Sequence, residues 1–435
     1  MKVVLLEVCS TRSEYINKDV MGEYGMVAQI GDSIFAKILE AAKKRSVNIP
    51  VFALGYLAAI LKKNGHQVEY KFNAIPLGAD LVIIPSSIVD YKYEVAFARK
   101  IKKANAGAKV GFFGPFASVR SDLYLAAADF VIVDEPEQVV DKISDHWIPQ
   151  GKVMGEKVAD LDTLPFPAWD IFPLKKYSYR PLLKSRLFVT VLSSRGCTFS
   201  CSYCPYKAYY GHLRQRSAAS VIEELKHLKK IYGIKSVQFR DPLFTGKKDR
   251  VNAIADGMIA DNLNIKWGCE THVNCLDHEL IDKLYAAGLR SINLGIESWD
   301  IEMLNKSSRL SASKAKEEEI IGYCQKKGIR VAAFYIFGWP EDTVETIKRT
   351  VDYAKKLNTI VAQFFILTPF PGTAHYRQMA DDIIETDWEK FNSFTPVFKH
   401  PNLSGREFQS LKEQAFVSYY FRFSYLIKHW FRILF

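Results

Sequence analysis

Three cysteines stand within the run Ser194-Arg195-Gly196-Cys197-Thr198-Phe199-Ser200-Cys201-Ser202-Tyr203-Cys204-Pro205, at C-x3-C-x2-C spacing. Three thiolates on one short loop can hold three irons of a [4Fe–4S] cluster, whose usual protein complement is four. The remaining iron then stays open to a ligand that the protein does not supply. Two plainer readings compete. Buried cysteines without chemistry are common, but three packed this tightly are not scatter. Structural zinc takes four closed ligands, often as paired C-x2-C knuckles, and no second knuckle follows here. Gly196 lets the backbone turn tightly just ahead of the first thiol.

With Tyr203 directly before the last cysteine, the motif resembles that of the radical S-adenosylmethionine superfamily. The resemblance makes Cys197, Cys201 and Cys204 the ligands of a [4Fe–4S] cluster. It implies that the amino and carboxylate groups of S-adenosylmethionine chelate the open iron. Reductive cleavage would then yield a 5′-deoxyadenosyl radical, fed by a one-electron reductant such as flavodoxin or ferredoxin.

Such a loop needs a strand to deliver it, and the apolar run Leu187-Phe188-Val189-Thr190-Val191-Leu192 directly precedes it. Beyond the loop, helical patterns over 217–232, 249–261, 277–287, 313–327 and 344–357 alternate with strand patterns over 236–241, 265–270, 291–298, 329–337 and 359–367. Six β/α units predict a partial (β/α)6 TIM-type barrel, whose active site lies at the carboxyl ends of its strands. Cys197, Asp241, Glu270, Glu297 and Ser298 all fall at those ends.

Three further pieces carry the family resemblance. Gly295-Ile296-Glu297-Ser298 resembles the fourth-strand motif that holds the nucleoside or methionine part. Gly338-Trp339-Pro340-Glu341-Asp342-Thr343 resembles the usual Gly-Leu-Pro-Gly-Glu-Thr turn, with Glu341 in place of the second glycine. Thr368-Pro369-Phe370-Pro371-Gly372-Thr373 matches closely. The resemblance assigns S-adenosylmethionine contacts to Tyr203, Arg240, Asp241, Glu270, Glu297 and Ser298. Carboxylates suit ribose hydroxyls or the ammonium, and a cation or amide must meet the carboxylate. Each of these residues could equally form a salt bridge at the barrel rim. No residue is singled out as the acid or base of the reaction. Cys269 and Cys275 read as barrel cysteines, with a second metal or a hydrogen-atom donor as the sharper alternative.

Residues 1–150 alternate in the same way. Strands at 2–8, 67–72, 80–85, 108–114 and 130–133, with helices near 50–63, 93–103 and 121–128, predict a Rossmann-like open parallel sheet. Such sheets bind ligands beyond the carboxyl ends of their strands. The region resembles the cobalamin-binding domain that precedes many radical S-adenosylmethionine cores. The matching pieces are Leu54-Gly55-Tyr56-Leu57-Ala58-Ala59, Gly111-Phe112-Phe113-Gly114-Pro115-Phe116-Ala117-Ser118 and Asp134-Glu135-Pro136-Glu137. The Asp-x-His-x-x-Gly signature is absent, and the last piece usually reads Gly-Glu-x-Glu. The resemblance places cobalamin contacts at Gly114, Pro115, Ser118 and Glu135. A relic domain that binds nothing, or binds substrate, is the competing reading. The segment 9–48 is long for a first connection and reads as a lid or as a decorated loop. Cys9 reads as a buried thiol.

Proline-punctuated residues 151–186 form the linker, 187–375 the core and 376–435 a helical segment rich in aromatic and basic residues. Ser404–Phe435 reads as one helix or two. Its last part carries Arg422, Lys428 and Arg432 and no acid, which suits a membrane interface or packing back on the barrel. A net charge of +11 over 435 residues favours an anionic partner. Nucleic acid is not the expected one. Seven cysteines, an odd number, and no signal peptide argue for a reducing cytoplasm, with peripheral contact at the inner membrane face as an extension. The expected activity is radical modification of an unactivated carbon, by cobalamin-dependent methylation, on a lipid-like or other natural-product substrate. Cyclisation, oxidation or carbon–carbon bond formation is the alternative outcome. A non-catalytic iron–sulfur electron-transfer or RNA-binding module is disfavoured by the six complete units and their strand-end carboxylates.

Overall fold

In this computed structural model residues 1–10, 15–185 and 187–434 are described, with side chains placed as far as His429. The chain opens with the buried apolar strand β1 (Lys2–Glu7) and the short antiparallel ribbon of β2 (Tyr15–Asn17) and β3 (Met26–Val27). Helix α1 (Ile34–Ser46) and β4 (Val47–Asn48) follow. Next come α2 (Phe52–Lys63), β5 (Gln67–Phe72), β6 (Leu81–Pro85), α3 (Tyr91–Ala104) and β7 (Lys109–Phe113). The first half closes with α4 (Pro115–Val119), α5 (Ser121–Leu125), β8 (Phe130–Val133), α6 (Glu137–Asp141) and β9 (Gly151–Met154). Its sheet runs β5-β1-β6-β7-β8-β9 with every neighbouring pair parallel. This is a doubly wound order whose switch point lies between β1 and β6.

Two elements depart from the pattern read in the sequence. Strand β9 completes the first sheet from within the stretch read as linker. Its side chains are largely exposed, so no apolar run marks it. Within the segment 9–48, the described residues 15–48 hold β2, β3, α1 and β4. Helix α1 escapes a periodicity reading because Ile34, Phe35 and Ile38 lie on its exposed side. Ser33 caps it, its hydroxyl accepting from the Ala36 amide at 3.2 Å.

The second half begins with β10 (Ser178–Tyr179), which pairs with β4. Then come β11 (Phe188–Val191), β12 (Ser194–Arg195), α7 (Pro205–Tyr210), β13 (Arg214–Gln215), α8 (Ala218–Tyr232) and β14 (Ser236–Phe239). Helix α9 (Lys248–Ala260), β15 (Lys266–Thr271), α10 (His278–Ala286), β16 (Leu289–Glu297) and α11 (Ile301–Lys306) continue the alternation. Helix α12 (Lys314–Lys326), β17 (Arg330–Phe337), α13 (Val344–Leu357), β18 (Val361–Ile366) and α14 (Ala374–Gln378) finish the core. Its sheet order is β11-β14-β15-β16-β17-β18, all parallel. The six β/α units are those read in the sequence, because each strand is a short apolar run and most of the helices start at a polar cap. Ser217, Asp277, Ser313 and Thr343 each accept a backbone amide at a helix start.

Strand β11 does not pair with β18, so the barrel is open on one side. The β4–β10 ribbon covers that side. Tyr179 accepts from Asn293 Nδ2 at 2.8 Å and stacks on Phe188 at 6.1 Å. Two C-terminal helices, α15 (Gly405–Tyr420) and α16 (Phe423–Leu434), complete the chain. Tyr420 bonds both the amide and the carbonyl of Ala362, which pairs the free edge of β18. Tyr425 donates to the Ile360 carbonyl at 2.8 Å. The inner faces of α15 and α16 therefore pack back on the barrel. No helix of the described residues is long and apolar enough to cross a membrane.

Candidate active site

The cysteine loop is held at its root by the antiparallel pairing of β12 with β13. Gly196 sits at φ +78°, and a Cβ there would lie 2.0 Å from the His212 carbonyl oxygen. No other residue fits this position without moving backbone. The Ser202 amide donates to Ser307 at 3.2 Å, and the Ser202 carbonyl accepts from His375 at 3.0 Å. Lys207 Nζ donates to the Cys197 carbonyl at 2.7 Å. The loop is thus fixed from the fourth strand's turn, the sixth strand's turn and α7.

All three cysteines are free thiols. Burial raises the Cys197 thiol, and raises Cys204 to about 12. Each would have to lose its proton on binding iron. Among the described residues no three His, Cys, Asp or Glu side chains converge on a single-ion site. A four-iron cluster binds one thiolate per iron, so thiols spread along a loop suit it better than zinc does.

Beside the thiols stands a group only partly visible in the sequence. Tyr203 OH lies 3.4 Å from Glu297 Oε1, and its ring meets Trp339 edge-on at 5.2 Å. Arg309 Nη2 lies 3.3 Å from Glu297 Oε1 and donates to the Gly295 carbonyl at 2.6 Å. A Cβ on Gly295 would lie 2.5 Å from Glu297 Oε1 and 2.8 Å from Arg309 Nη2. Burial works against the charge of Arg309, but Tyr203, Glu297 and Cys201 outweigh it and raise the guanidinium. Burial raises the Glu297 carboxyl, with Arg309 opposing. Sequence reading missed Arg309: it follows a serine-rich turn, with no spacing to flag it.

Arg240 and Glu270 also meet at the mouth of the barrel. Their side chains form an ion pair, and Arg240 Nη2 donates to the Asp19 carbonyl at 2.7 Å. Asp241 and Ser298 do not join them. Asp241 is fully buried and accepts from the Ser193 amide at 3.1 Å, the Ser193 hydroxyl at 2.8 Å and the Ser194 hydroxyl. It ties the end of β14 to the root of the cysteine loop. Ser298, 1% exposed, accepts from the Asp300 amide at 3.2 Å and meets Thr350 Oγ1 at 3.3 Å. It shapes the turn into α11. The departure at Glu341 is harmless to its turn. Asp342 accepts from the Gly338 and Trp339 amides at 2.8 and 3.1 Å, while Glu341 points outward to Lys306 at 2.6 Å.

In the first half, Gly114, Pro115, Ser118 and Glu135 lie together at the carboxyl ends of β7 and β8. Ser118 is used within the fold: its hydroxyl donates to the Gly114 carbonyl at 2.9 Å and accepts from Asp134 at 3.0 Å. Glu135 is an interdomain clamp rather than an open ligand group. Arg195 Nη1 reaches it at 2.8 Å, Arg214 Nη1 at 3.0 Å and the Val158 amide at 3.0 Å. Burial opposes ionisation of Glu135, but the hydrogen bond from Arg214 and the charge of Arg195 hold its carboxyl below the usual range. Arg195 Nη2 also pairs with Glu137 at 2.5 Å. Where the two halves meet, several buried polar atoms have no hydrogen-bond partner among the described residues: Asp19 Oδ1, Glu137 Oε2, Arg195 Nε and Tyr206 OH; Asp19 Oδ2 faces Arg240 Nε at 3.5 Å.

The barrel residues 191–354 match the model of the radical SAM superfamily. The chain is 27% identical over 427 residues to an uncharacterized methyltransferase of Pyrococcus horikoshii, covering 89% of this chain and 92% of that one. It is 28% identical over 260 residues to the anaerobic magnesium-protoporphyrin IX monomethyl ester cyclase of Rubrivivax gelatinosus, covering 58% of this chain and 46% of that one. Among solved structures it is similar to TsrM of Kitasatospora setae, a radical S-adenosylmethionine methyltransferase with cobalamin and a [4Fe–4S] cluster bound. That match has a TM-score of 0.63 at 18% identity and covers 88% of this chain and 75% of that one. It shares the two-sheet fold.

Proposed function

We propose that this member of the radical S-adenosylmethionine superfamily is a cobalamin-dependent enzyme that methylates an unactivated carbon. The observation that carries the reading is the cysteine loop itself, three thiols fixed beside the Glu297–Arg309 pair at the carboxyl ends of a parallel barrel. Cys197, Cys201 and Cys204 would hold a [4Fe–4S] cluster, which would supply the electron for reductive cleavage of S-adenosylmethionine. Arg309 meets the methionine carboxylate and Glu297 the ammonium or a ribose hydroxyl. Gly295 leaves room for the ligand to approach that pair. Arg240 and Glu270 line the adjoining wall, at the ends of β14 and β15. Trp339 and the tyrosines of α7 exclude water from the site.

Cobalamin suits the boundary between the halves, where it would supply a transferable methyl group. The unpaired atoms of Asp19, Glu137, Arg195 and Tyr206 match the amide-rich rim of a corrin, and Gly114-Pro115 offers backbone there. The Pyrococcus methyltransferase and TsrM support methyl transfer. The Rubrivivax cyclase supports a second reading, radical cyclisation on the same core. A lipid-like substrate and peripheral membrane contact find support in one surface. Phe35 (51% exposed) and Phe423 (79%) flank Phe421, whose ring meets that of Phe35 at 4.8 Å.

Anaerobic reconstitution tests the reading. The wild type should cleave S-adenosylmethionine to 5′-deoxyadenosine under a strong reductant, and Cys201→Ala should not. A wild type that yields none ends the enzymatic proposal. Retention of cobalamin, read by visible absorbance of the purified protein, separates the methylating reading from the cyclising one.

A further inference from the structure

Groups that point into the upper half of the barrel keep some exposure. Gly295, Phe334 and Ile336 point inward and stay partly exposed, while their outward neighbours Leu294, Tyr335 and Phe337 are wholly buried. On β18 the outward residue is Phe364, whose ring packs on Phe416 and Tyr419 of α15 at 5.3 and 5.9 Å. Alternation then turns Gln363 and Phe365 inward. Helix α1, from the other half of the chain, sends Lys43 to this wall through the open side of the barrel. Lys43 Nζ donates to Gln363 Oε1 at 2.6 Å and stands 5.1 Å from the Phe394 ring and 6.0 Å from the Phe365 ring.

Besides Arg309, two described cations reach this space, and they differ. Arg240 is paired with Glu270 and lies against Asp19. Burial alone acts on the Lys43 amine, lowering it to about 7, and among the described residues no carboxylate offsets that. A half-buried ammonium with one neutral partner and two ring faces has donors to spare. It gains most from an anion brought by a ligand.

We propose that Lys43 is the anion-binding group of the substrate site, receiving the carboxylate or phosphate of a ligand whose apolar body lies against Phe334, Ile336 and Phe365. The inference rests on the functional reading above, in which the barrel lumen is the substrate chamber. It narrows the substrate class to an acid with an apolar body. Lys43 is a binding residue here, and no proton transfer is assigned to it.

The full chain, reconstituted with its cluster, tests this by trace acetylation with acetic anhydride at neutral pH, lysines being quantified by mass spectrometry. Octanoate, octyl phosphate and octanol serve as probes, with exposed Lys152 as internal reference. One or both anions should slow acetylation of Lys43 by about ten-fold or more relative to Lys152, and octanol should not. Protection by octanoate alone or by octyl phosphate alone identifies the head group. Equal protection by octanol, or none by either anion, overturns the proposal. Calorimetric affinity for the protecting anion should fall by about ten-fold in Lys43→Met and be retained in Lys43→Arg. An unchanged affinity in Lys43→Met also overturns it. The labelling reads the protein whether or not S-adenosylmethionine is cleaved. Loss of protection with cleavage intact therefore sinks only this inference, and absent cleavage with protection intact sinks only the functional reading.

Discussion

The chemistry concentrates on few side chains. Arg309 touches Glu297 and Gly295 and bears on the Cys201 thiol. Among the described residues the carboxylate at contact with it is Glu297, whose own pKa is raised by burial. A ligand carboxylate would therefore find a guanidinium with donors still available. Replacing Arg309 with Gln should weaken S-adenosylmethionine binding by about ten-fold to a hundred-fold, since truncating one partner of a buried charge pair costs about 2 kcal/mol or more. Equilibrium dialysis on the reconstituted protein reads this directly, and iron content should not change. Equal affinity in wild type and variant would remove Arg309 from the site. Asp241 belongs to another class. Three donors already hold its carboxylate, so it acts by fixing the loop.

Elements bring those residues together. The pairing of β12 with β13 places Arg195 two residues ahead of Cys197, where it reaches Glu135 and Glu137 of the other half. All three are almost fully buried, at 3% side-chain exposure or less. Breaking one member of such a network strands its partners, at a cost of about 3–5 kcal/mol. Arg195→Met should accordingly lower the urea midpoint of the whole chain. A midpoint within error of wild type would mean that Arg195 does not help hold the halves together. Helix α1 works by the same logic of reach. Its start is tied to α15, where the Ser33 amide donates to Glu413 Oε1 at 3.0 Å, and its later turns carry Lys43 to Gln363 of β18.

At the scale of the whole molecule, two parallel sheets turn their carboxyl ends toward a shared boundary. One brings the cysteine loop there, the other the glycine turn at Gly114. The outer surface carries one further feature. Ile34, Phe35 and Ile38 of α1 are exposed, as are Phe423 and Ile427 of α16. Contiguous exposed apolar groups mark an interaction surface. Anionic vesicles should retain the wild type on sedimentation, and the double variant Phe423→Ser with Ile427→Ser should release it. A wild type that stays in the supernatant would end the membrane reading.

The sequence by itself determined the fold of both halves, the six β/α units and the cysteine loop. Strand and helix periods, polar caps and C-x3-C-x2-C spacing are local, and local patterns survive without neighbours. It also marked Glu297, Glu270 and Arg240 as strand-end groups at the barrel mouth. What it left undecided was which strand-end group faces the cavity. Asp241 and Ser298 have the same credentials in sequence, yet hydrogen bonds from the next strand or helix turn them into the frame. Glu135 matched a family piece, and only the arrival of Arg195 and Arg214 made it a clamp. Arg309 and Lys43 had no pattern at all. Arg309 comes from 14 residues past Gly295 and Lys43 from 320 residues before Gln363, and tertiary packing alone decides that a lone arginine after a turn and a lysine on a polar helix end as half-buried cations at the site.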